Sequence, residues 1–131
     1  MTVDRIKTKK YYETLTQTSL CDCAYCRLYY EKARKAFPQL AKWLDGYGID
    51  IEKPWEAMSL DPDEDGIVDY IGVQYIVFGS CAADDVYKIG DISIRVSGSY
   101  PDPAIDDDFF VLEAYPMSLP TEESFPTKPC L

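Results

Sequence analysis

The stretch IVDYIGVQYIVFGS, residues 67–80, decides the fold of this chain. It is a long run of apolar and β-branched residues without proline, which predicts a strand. The preceding DPDEDG, residues 61–66, predicts a turn, because Pro, Asp and Gly each favour turns. The strand is therefore expected to return antiparallel to another strand over residues 55–60. Gly72 is expected at a bulge or at a close backbone contact.

Two stretches further along the chain show the alternation that is typical of strands. Ile92, Ile94 and Val96 alternate with polar residues, which predicts one packed face and one solvated face. The stretch DFFVLEAY, residues 108–115, predicts one more strand. The tail, residues 117–131, is rich in proline and is expected to form an extended arm on the surface.

Upstream of residue 54 the apolar residues recur every three or four positions, as they do in helices. A helix with one buried face is predicted from Asp22 onwards, and Pro38 begins a second short helix. Residues 1–20 are polar, and their few apolar side chains, Ile6 among them, allow one amphipathic helix that is frayed at its start.

These patterns predict one α+β domain over residues 1–131, with N-terminal helices packed on a four- to five-stranded antiparallel sheet. The helical part covers residues 21–48 and follows the partly frayed segment 1–20. The sheet covers residues 54–116. A chain of this length with 47% apolar content can bury a hydrophobic core without needing disulfides or a metal to stabilise it.

The net charge of −10 is unevenly distributed along the chain. Residues 1–53 hold ten Lys/Arg against seven Asp/Glu, whereas residues 54–131 hold three against sixteen. This balance argues against a nucleic-acid partner, because phosphate recognition needs a basic surface. It fits either a solvated acidic surface or a face that docks a basic protein partner. An immunity or inhibitor protein that neutralises a cationic nuclease would have this size and charge. The candidate interaction residues are Asp102, Asp106, Asp107 and Asp108.

No apolar run approaches the roughly 20 residues that a membrane helix needs, and the first residues carry charge where a signal peptide would be apolar. We therefore expect a cytoplasmic protein that does not bind membranes. In that reducing compartment the five cysteines are expected to be metal ligands, nucleophiles or buried small side chains, and not to form disulfides.

The stretch LCDCAYCRLYY, residues 20–30, places three thiols within six positions. A helix would bring Cys23 and Cys26 to one side, and Cys21 could fold back from the preceding turn to meet them. Asp22 is a candidate N-cap, and a helix N-terminus lowers the pKa of a nearby thiol.

Three interpretations of these thiols compete. The first is a zinc site, for which a chain without histidine must take the fourth ligand from Cys81, Cys130, a carboxylate or a water. The second is a Cys-x-x-Cys redox pair, which usually lies between a strand and a helix of an α/β sheet. The third is a helix start that buries small sulfur side chains.

The turn before the long strand offers a second candidate metal site. Asp61, Asp63 and Asp65 stand at alternate positions and Asp69 at the ninth, which matches the first half of a calcium loop. The twelfth position, which should be a glutamate, is Gly72. The calcium interpretation therefore competes with that of a plain hairpin turn.

Catalytic groups are scarce in the sequence. Without histidine the usual acid or base at neutral pH is missing, and no phosphate-binding loop or nucleophile motif is present. The balance favours a non-enzymatic protein. Paired carboxylates remain the open catalytic alternative, because a sequence does not show which side chains meet. Function is thus expected either in the acidic surface or in the thiol cluster.

The stretches CDCAYCRLYY (residues 21–30), KPWEAMSLDPDEDGIVDYIGVQYIVFGS (53–80) and FFVLEAYPMSLP (109–120) resemble a family of small bacterial proteins. That family has a Cys-x-Cys-x-x-Cys-Arg motif followed by an antiparallel sheet, and its function is unknown. The resemblance implies a single cytosolic domain and supplies no activity. This chain has Leu28 where the family pattern has asparagine.

Overall fold

The protein is an α+β fold, as the sequence predicts. The computed structural model describes residues 1–16 and 20–121. Its elements in chain order are β1 (Thr2–Val3), α1 (Arg5–Thr14), α2 (Ala24–Ala36), α3 (Pro38–Asp45), β2 (Glu56–Ser59), β3 (Ile67–Ser80), β4 (Val86–Ile89), β5 (Ile92–Val96), β6 (Phe109–Tyr115) and β7 (Met117–Pro120). The described sheet has seven strands, more than the predicted four or five. The additional strands, β1, β4 and β7, have two to four residues each.

Strand β3 is the centre of the sheet. One edge of β3 pairs antiparallel with β2 and β1, and the other edge pairs antiparallel with β6 and β7. Beyond β6 the sheet continues with β5 and then β4. The predicted irregularity at Gly72 is confirmed, because the register of β2 shifts opposite this residue. A Cβ at Gly72 would lie 2.6 Å from Met58 Cε and 3.0 Å from Glu113 Cδ. Glycine therefore lets these two side chains cross the strand.

Both faces of the sheet are covered. The helices pack on the face that carries Val73, Tyr75 and Val77, where most of the core lies. The opposite face of β3 and β6 packs against four side chains: Tyr11, Trp55, Tyr100 and Ile105. Tyr11 belongs to α1, Trp55 directly precedes β2, and the other two lie in the connection between β5 and β6. This double burial explains why β3 and β6 are almost continuously apolar, whereas β5 alternates as predicted.

Helix α1 covers the part of the β3 edge that lies between β2 and β1. Tyr12 Oη donates a hydrogen bond to the Ile76 carbonyl at 2.7 Å, and Thr8 Oγ1 accepts one from the Phe78 N–H at 3.2 Å. Thr8 and Tyr12 are one helical turn apart, so α1 satisfies strand groups that would otherwise be unpaired. The placement of Ile6 on the buried side was wrong, since its side chain is 72% exposed.

The expectation of a surface arm after residue 116 was wrong for its first part. Met117 and Leu119 are buried, and β7 pairs with the start of β3 from Ile67 to Tyr70. The alternation of apolar and polar residues outweighs the prolines here, because it suits a strand with one side on the core. The remainder of the predicted arm, residues 122–131, lies outside the described residues.

Candidate functional site

Three cysteine sulfur atoms converge where α2 begins. The Sγ atoms of Cys21, Cys23 and Cys26 all lie within 4.8 Å of one another, and we call these residues the cysteine cluster. Cys23 is the N-cap of α2, and its Sγ accepts a hydrogen bond from the Cys26 N–H at 3.5 Å. The assignment of Asp22 as the N-cap was therefore wrong. The carbonyl of Cys21 is held by a hydrogen bond from Tyr30 Oη at 2.9 Å, which folds the preceding turn back over the helix.

Cys21 is disulfide-bonded. The expectation that the cysteines form no disulfide was therefore wrong for this residue. Cys23, Cys26 and Cys81 are free thiols. The cluster thus combines one oxidised sulfur with two thiols at close range.

The thiol of Cys26 is more basic than the sequence suggested. Burial raises the pKa of Cys26 to about 12, and the neighbouring Cys23 adds to the rise. The expected lowering by the helix N-terminus was wrong, because removal from water outweighs the favourable field of the helix. Cys26 is therefore protonated at neutral pH, which argues against a role as a redox nucleophile. A metal cation would have to displace its proton.

A cavity of about 200 Å³ lies beside the cluster, at the sheet edge between α1 and β2. Cys21 and Cys26 line it together with two charged side chains, Lys53 and Glu56. Lys53 Nζ donates a hydrogen bond to the Tyr12 carbonyl at 2.8 Å, whereas burial raises the pKa of Glu56. The other described lining residues are Tyr11, Tyr12, Leu15, Leu20, Tyr30, Pro54, Trp55, Ala57 and Ile76. Apart from the thiols and these two charges, the walls are aromatic and aliphatic.

Of the two further cysteines that were candidate fourth ligands, Cys81 lies away from the cluster. Cys81 follows the end of β3, where its Sγ donates a hydrogen bond to Asp85 Oδ2 at 3.1 Å. The cluster instead lies near the beginning of β3, since Tyr70 Oη donates to the Tyr25 carbonyl. Cys130 lies outside the described residues. Among the predicted possibilities, Cys130, a carboxylate or a water therefore remains as the fourth ligand.

The aspartates of the acidic turn do not converge in this way. Within residues 1–16 and 20–121, the cysteine cluster is the group of three potential ligands close enough to share a metal ion. Asp63 Oδ1 accepts hydrogen bonds from the N–H groups of Asp65 and Ile67, at 2.9 and 3.0 Å. Asp61 accepts from Tyr25 Oη, and Asp69 from Ser118 Oγ. These carboxylates hold the hairpin together and do not assemble the calcium site considered above.

The candidate interaction residues lie on the connection that leads into β6. Asp102 Oδ1 accepts a hydrogen bond from the Ala104 N–H at 2.8 Å, and Asp107 forms an ion pair with Lys7 at 2.7 Å. Asp106 and Asp108 are exposed and form no ion pair with another described residue. This segment meets the Ser80 end of β3, whose 14 residues span about 45 Å. The acidic turn, at the opposite end of β3, therefore does not belong to the same patch.

A buried polar group on the outer face of the sheet was missed from the sequence. Glu113 Oε2 accepts a hydrogen bond from Arg95 Nη2 at 2.6 Å, and Glu113 Oε1 accepts one from Gln74 Nε2 at 3.1 Å. Gln74 Oε1 is buried and has no hydrogen-bond partner among the described residues. The available signal was that Gln74 and Glu113 each interrupt an apolar run within a strand. The sequence could not show that they face each other.

No helix in the described part of the chain is long and apolar enough to cross a membrane. Comparison with protein-family models, with curated proteins and with solved structures finds no match in any of the three. The family resemblance therefore stays a prediction, and function has to be argued from the geometry of the chain itself.

Proposed function

We propose that this protein binds one zinc ion through the thiolates of Cys21, Cys23 and Cys26. The observation that carries the proposal is the convergence of the three Sγ atoms within 4.8 Å. Tetrahedral zinc with Zn–S bonds of about 2.3 Å holds its sulfur ligands about 3.8 Å apart. Shifts of about 1 Å, within reach of small side-chain rotations, would bring the three sulfurs to that spacing.

The donor set favours zinc over harder cations. Thiolates are soft ligands that suit zinc, copper(I) and iron–sulfur clusters, whereas calcium and magnesium prefer oxygen. Zinc accepts three sulfurs with a fourth ligand of another kind. The position of the cluster, at the start of α2 and beside the sheet edge, suits an ion that ties a helix to a strand.

Zinc binding requires Cys21 to be reduced. A disulfide sulfur carries no thiolate charge, so the disulfide and the three-thiolate site are alternative states of this residue. A dithiol reductant would transfer two electrons and two protons to the disulfide, giving two thiols and the oxidised reductant. The cytoplasmic location expected from the sequence would supply such reduction.

The proposal is tested by metal analysis of protein purified with and without reductant. Reduced protein is expected to retain about one equivalent of zinc after desalting, and oxidised protein much less. Cys23→Ser should lose the zinc, whereas Cys81→Ser is the matched control and should keep it, because Cys81 lies at the other end of β3. Equal zinc content in wild type and Cys23→Ser would overturn the proposal.

A second candidate function is docking of a basic partner by the segment 102–108. The specific observation in its favour is that Asp106 and Asp108 are exposed and form no ion pair with described residues. Charge complementarity of this kind mainly speeds association and is screened by salt. Asp107 contributes less, because Lys7 already neutralises it.

The docking candidate is tested with a polylysine peptide as the probe and with two charge-matched double variants. Asp106→Lys with Asp108→Lys should slow association at low salt. Glu64→Lys with Asp65→Lys changes the charge equally at the other end of β3 and should slow it much less. Equal effects of the two double variants would show that only the overall charge matters, and would contradict docking at this segment.

A further inference from the structure

The geometry points to Glu56 as the fourth ligand of the zinc site, which makes the site a closed Cys₃Glu centre. The inference rests on the proposed function, since it has no meaning without a metal at the cysteine cluster. It names a ligand 30 positions away from the last cysteine of the cluster, on a strand rather than on a helix. The zinc would therefore join the start of α2 to β2.

Glu56 is held at the cavity by its backbone. It is the first residue of β2, and the preceding Trp55 is fixed on both sides: its N–H donates to the Gln74 carbonyl at 2.7 Å, and its Nε1 donates to the Pro101 carbonyl at 2.8 Å. Among the described strands β2 pairs with β3 alone. Glu56 and its two chain neighbours line the same cavity as Cys21 and Cys26, so its side chain shares this space with two cysteines of the cluster.

The carboxylate of Glu56 accepts a hydrogen bond from the Ala57 N–H but has no cation partner among the described residues. It is half-buried and forms no ion pair with any described residue. Lys53, the cation that lines the same cavity, uses its Nζ to hold the Tyr12 carbonyl. A carboxylate withdrawn from water without a cation is unfavourable, and binding to zinc would compensate it.

Among the described residues the other carboxylates are less well placed. Glu56 is the one carboxylate among the described residues that line the cavity. Its oxygens lie outside the 4.8 Å group of the three sulfurs, so the side chain has to swing inward when the ion binds. Glutamate has three rotatable side-chain bonds, and a Zn–O distance of about 2.0 to 2.2 Å is ordinary for carboxylate ligands.

The resulting charge is acceptable for a zinc site. Three thiolates and one carboxylate around Zn²⁺ leave a net charge of −2, the same as in the common Cys₄ sites. Lys53 at the cavity wall offsets part of this charge. A filled fourth position leaves no open coordination site for water or substrate, so the centre is structural rather than catalytic.

Cobalt(II) titration of the reduced full-length protein tests the inference, because the intensity of the cobalt d–d bands reports four-coordinate geometry and the thiolate charge-transfer band reports sulfur ligation. Wild type should show both signals. Glu56→Gln should keep the charge-transfer band, change the d–d bands and bind cobalt at least about tenfold more weakly. Glu64→Gln, on the exposed turn before β3, is the matched control and should match wild type.

The outcomes separate the two proposals. If wild type gives no thiolate charge-transfer band, the proposed function fails and the inference falls with it. If wild type gives the band and Glu56→Gln is spectroscopically identical, the cysteine site stands and Glu56 is not its ligand. If Glu56→Gln fails to fold, the Glu56→Asp variant tests whether Glu56 is the fourth ligand. It keeps a shorter carboxylate and should retain the four-coordinate bands with weaker affinity, whereas unchanged affinity would overturn the inference.

Discussion

The cysteine cluster and the acidic turn are both short stretches of closely spaced candidate metal ligands, yet they behave differently. The three cysteines converge, because Cys23 and Cys26 flank the first turn of α2 and Tyr30 holds the Cys21 backbone against the helix. The four aspartates diverge: Asp63 binds two backbone N–H groups, whereas Asp61 and Asp69 bind side chains on α2 and β7. Ligand spacing alone therefore did not predict a site in the turn, because hydrogen-bond donors hold three of its four carboxylates in separate places.

The surroundings of the two regions differ as well. The cluster lies against a core that contains several fully buried tyrosines, whereas the acidic turn is exposed to water. Burial makes the Cys26 thiol hard to ionise because it raises the pKa of this group, and a buried thiolate there would be stabilised by a bound cation. On the exposed turn, water already solvates each carboxylate, so a cation gains little.

The largest predicted effect is a loss of stability at alkaline pH, which distinguishes the buried region from the exposed one. Burial raises the pKa of Tyr12, Tyr29 and Tyr75. In the unfolded chain these groups ionise near pH 10, whereas in the folded protein they stay protonated to higher pH. Their contribution to stability is thus complete below pH 10 and is lost as the pH rises towards the folded values. The buried Cys26 acts in the same direction.

Urea unfolding between pH 8 and pH 11 measures this loss. Each of the three tyrosines removes about 1.4 kcal/mol per pH unit above pH 10, or about 4 kcal/mol per unit together. Tyr29→Phe removes one titrating group and should reduce the slope by about 1.4 kcal/mol per pH unit. A free energy of unfolding that stays constant up to pH 11 would show that these hydroxyls are not buried as described.

The next largest effect concerns the two metals. Zinc at a free concentration 100-fold above its dissociation constant should raise the unfolding free energy of the reduced protein by about 2.7 kcal/mol. Calcium at the same concentration should leave it unchanged, because the aspartates of the turn do not converge. Thermal unfolding of wild type and of Cys23→Ser with each ion makes the measurement. Stabilisation of wild type by calcium, or of Cys23→Ser by zinc, would contradict the difference proposed between the cysteine cluster and the acidic turn.

A smaller effect is expected within the acidic turn itself. Asp63→Ala removes an acceptor for two backbone N–H groups and should lower the free energy of unfolding by about 1 kcal/mol. The matched control is Asp65→Ala, whose side chain forms no described hydrogen bond, and its effect should stay within about 0.5 kcal/mol. Chemical unfolding of both variants gives the comparison. If the two losses are equal, charge and not the turn geometry accounts for them.

Much of the fold follows from periodicity in the sequence. The boundaries of α3 and β3 and the irregularity at Gly72 were predictable, because long periodic runs and the effects of proline and glycine are local. The strands β1 and β7 were not predictable, because each is defined by pairing with a distant part of β3. The same holds for α1, whose buried side is set by the unpaired edge of β3 rather than by its own apolar residues.

The candidate site was predictable only in part. The sequence placed Cys23 and Cys26 on one side of a helix, and this was confirmed. It gave the wrong direction for the Cys26 pKa, because burial depends on contacts that the local sequence does not contain. The disulfide of Cys21 and the cavity that the cluster shares with Glu56 could not be predicted either, because both depend on contacts that the local sequence does not contain.

The central claim is that the three thiols act as one ligand set, and zinc X-ray absorption spectroscopy of the reduced, zinc-loaded protein tests it most directly. The account predicts three sulfur neighbours at about 2.3 Å and one oxygen or nitrogen neighbour at about 2.0 to 2.2 Å. Two or fewer sulfur neighbours, or four, would contradict it, because the metal would then be held by a different set of side chains.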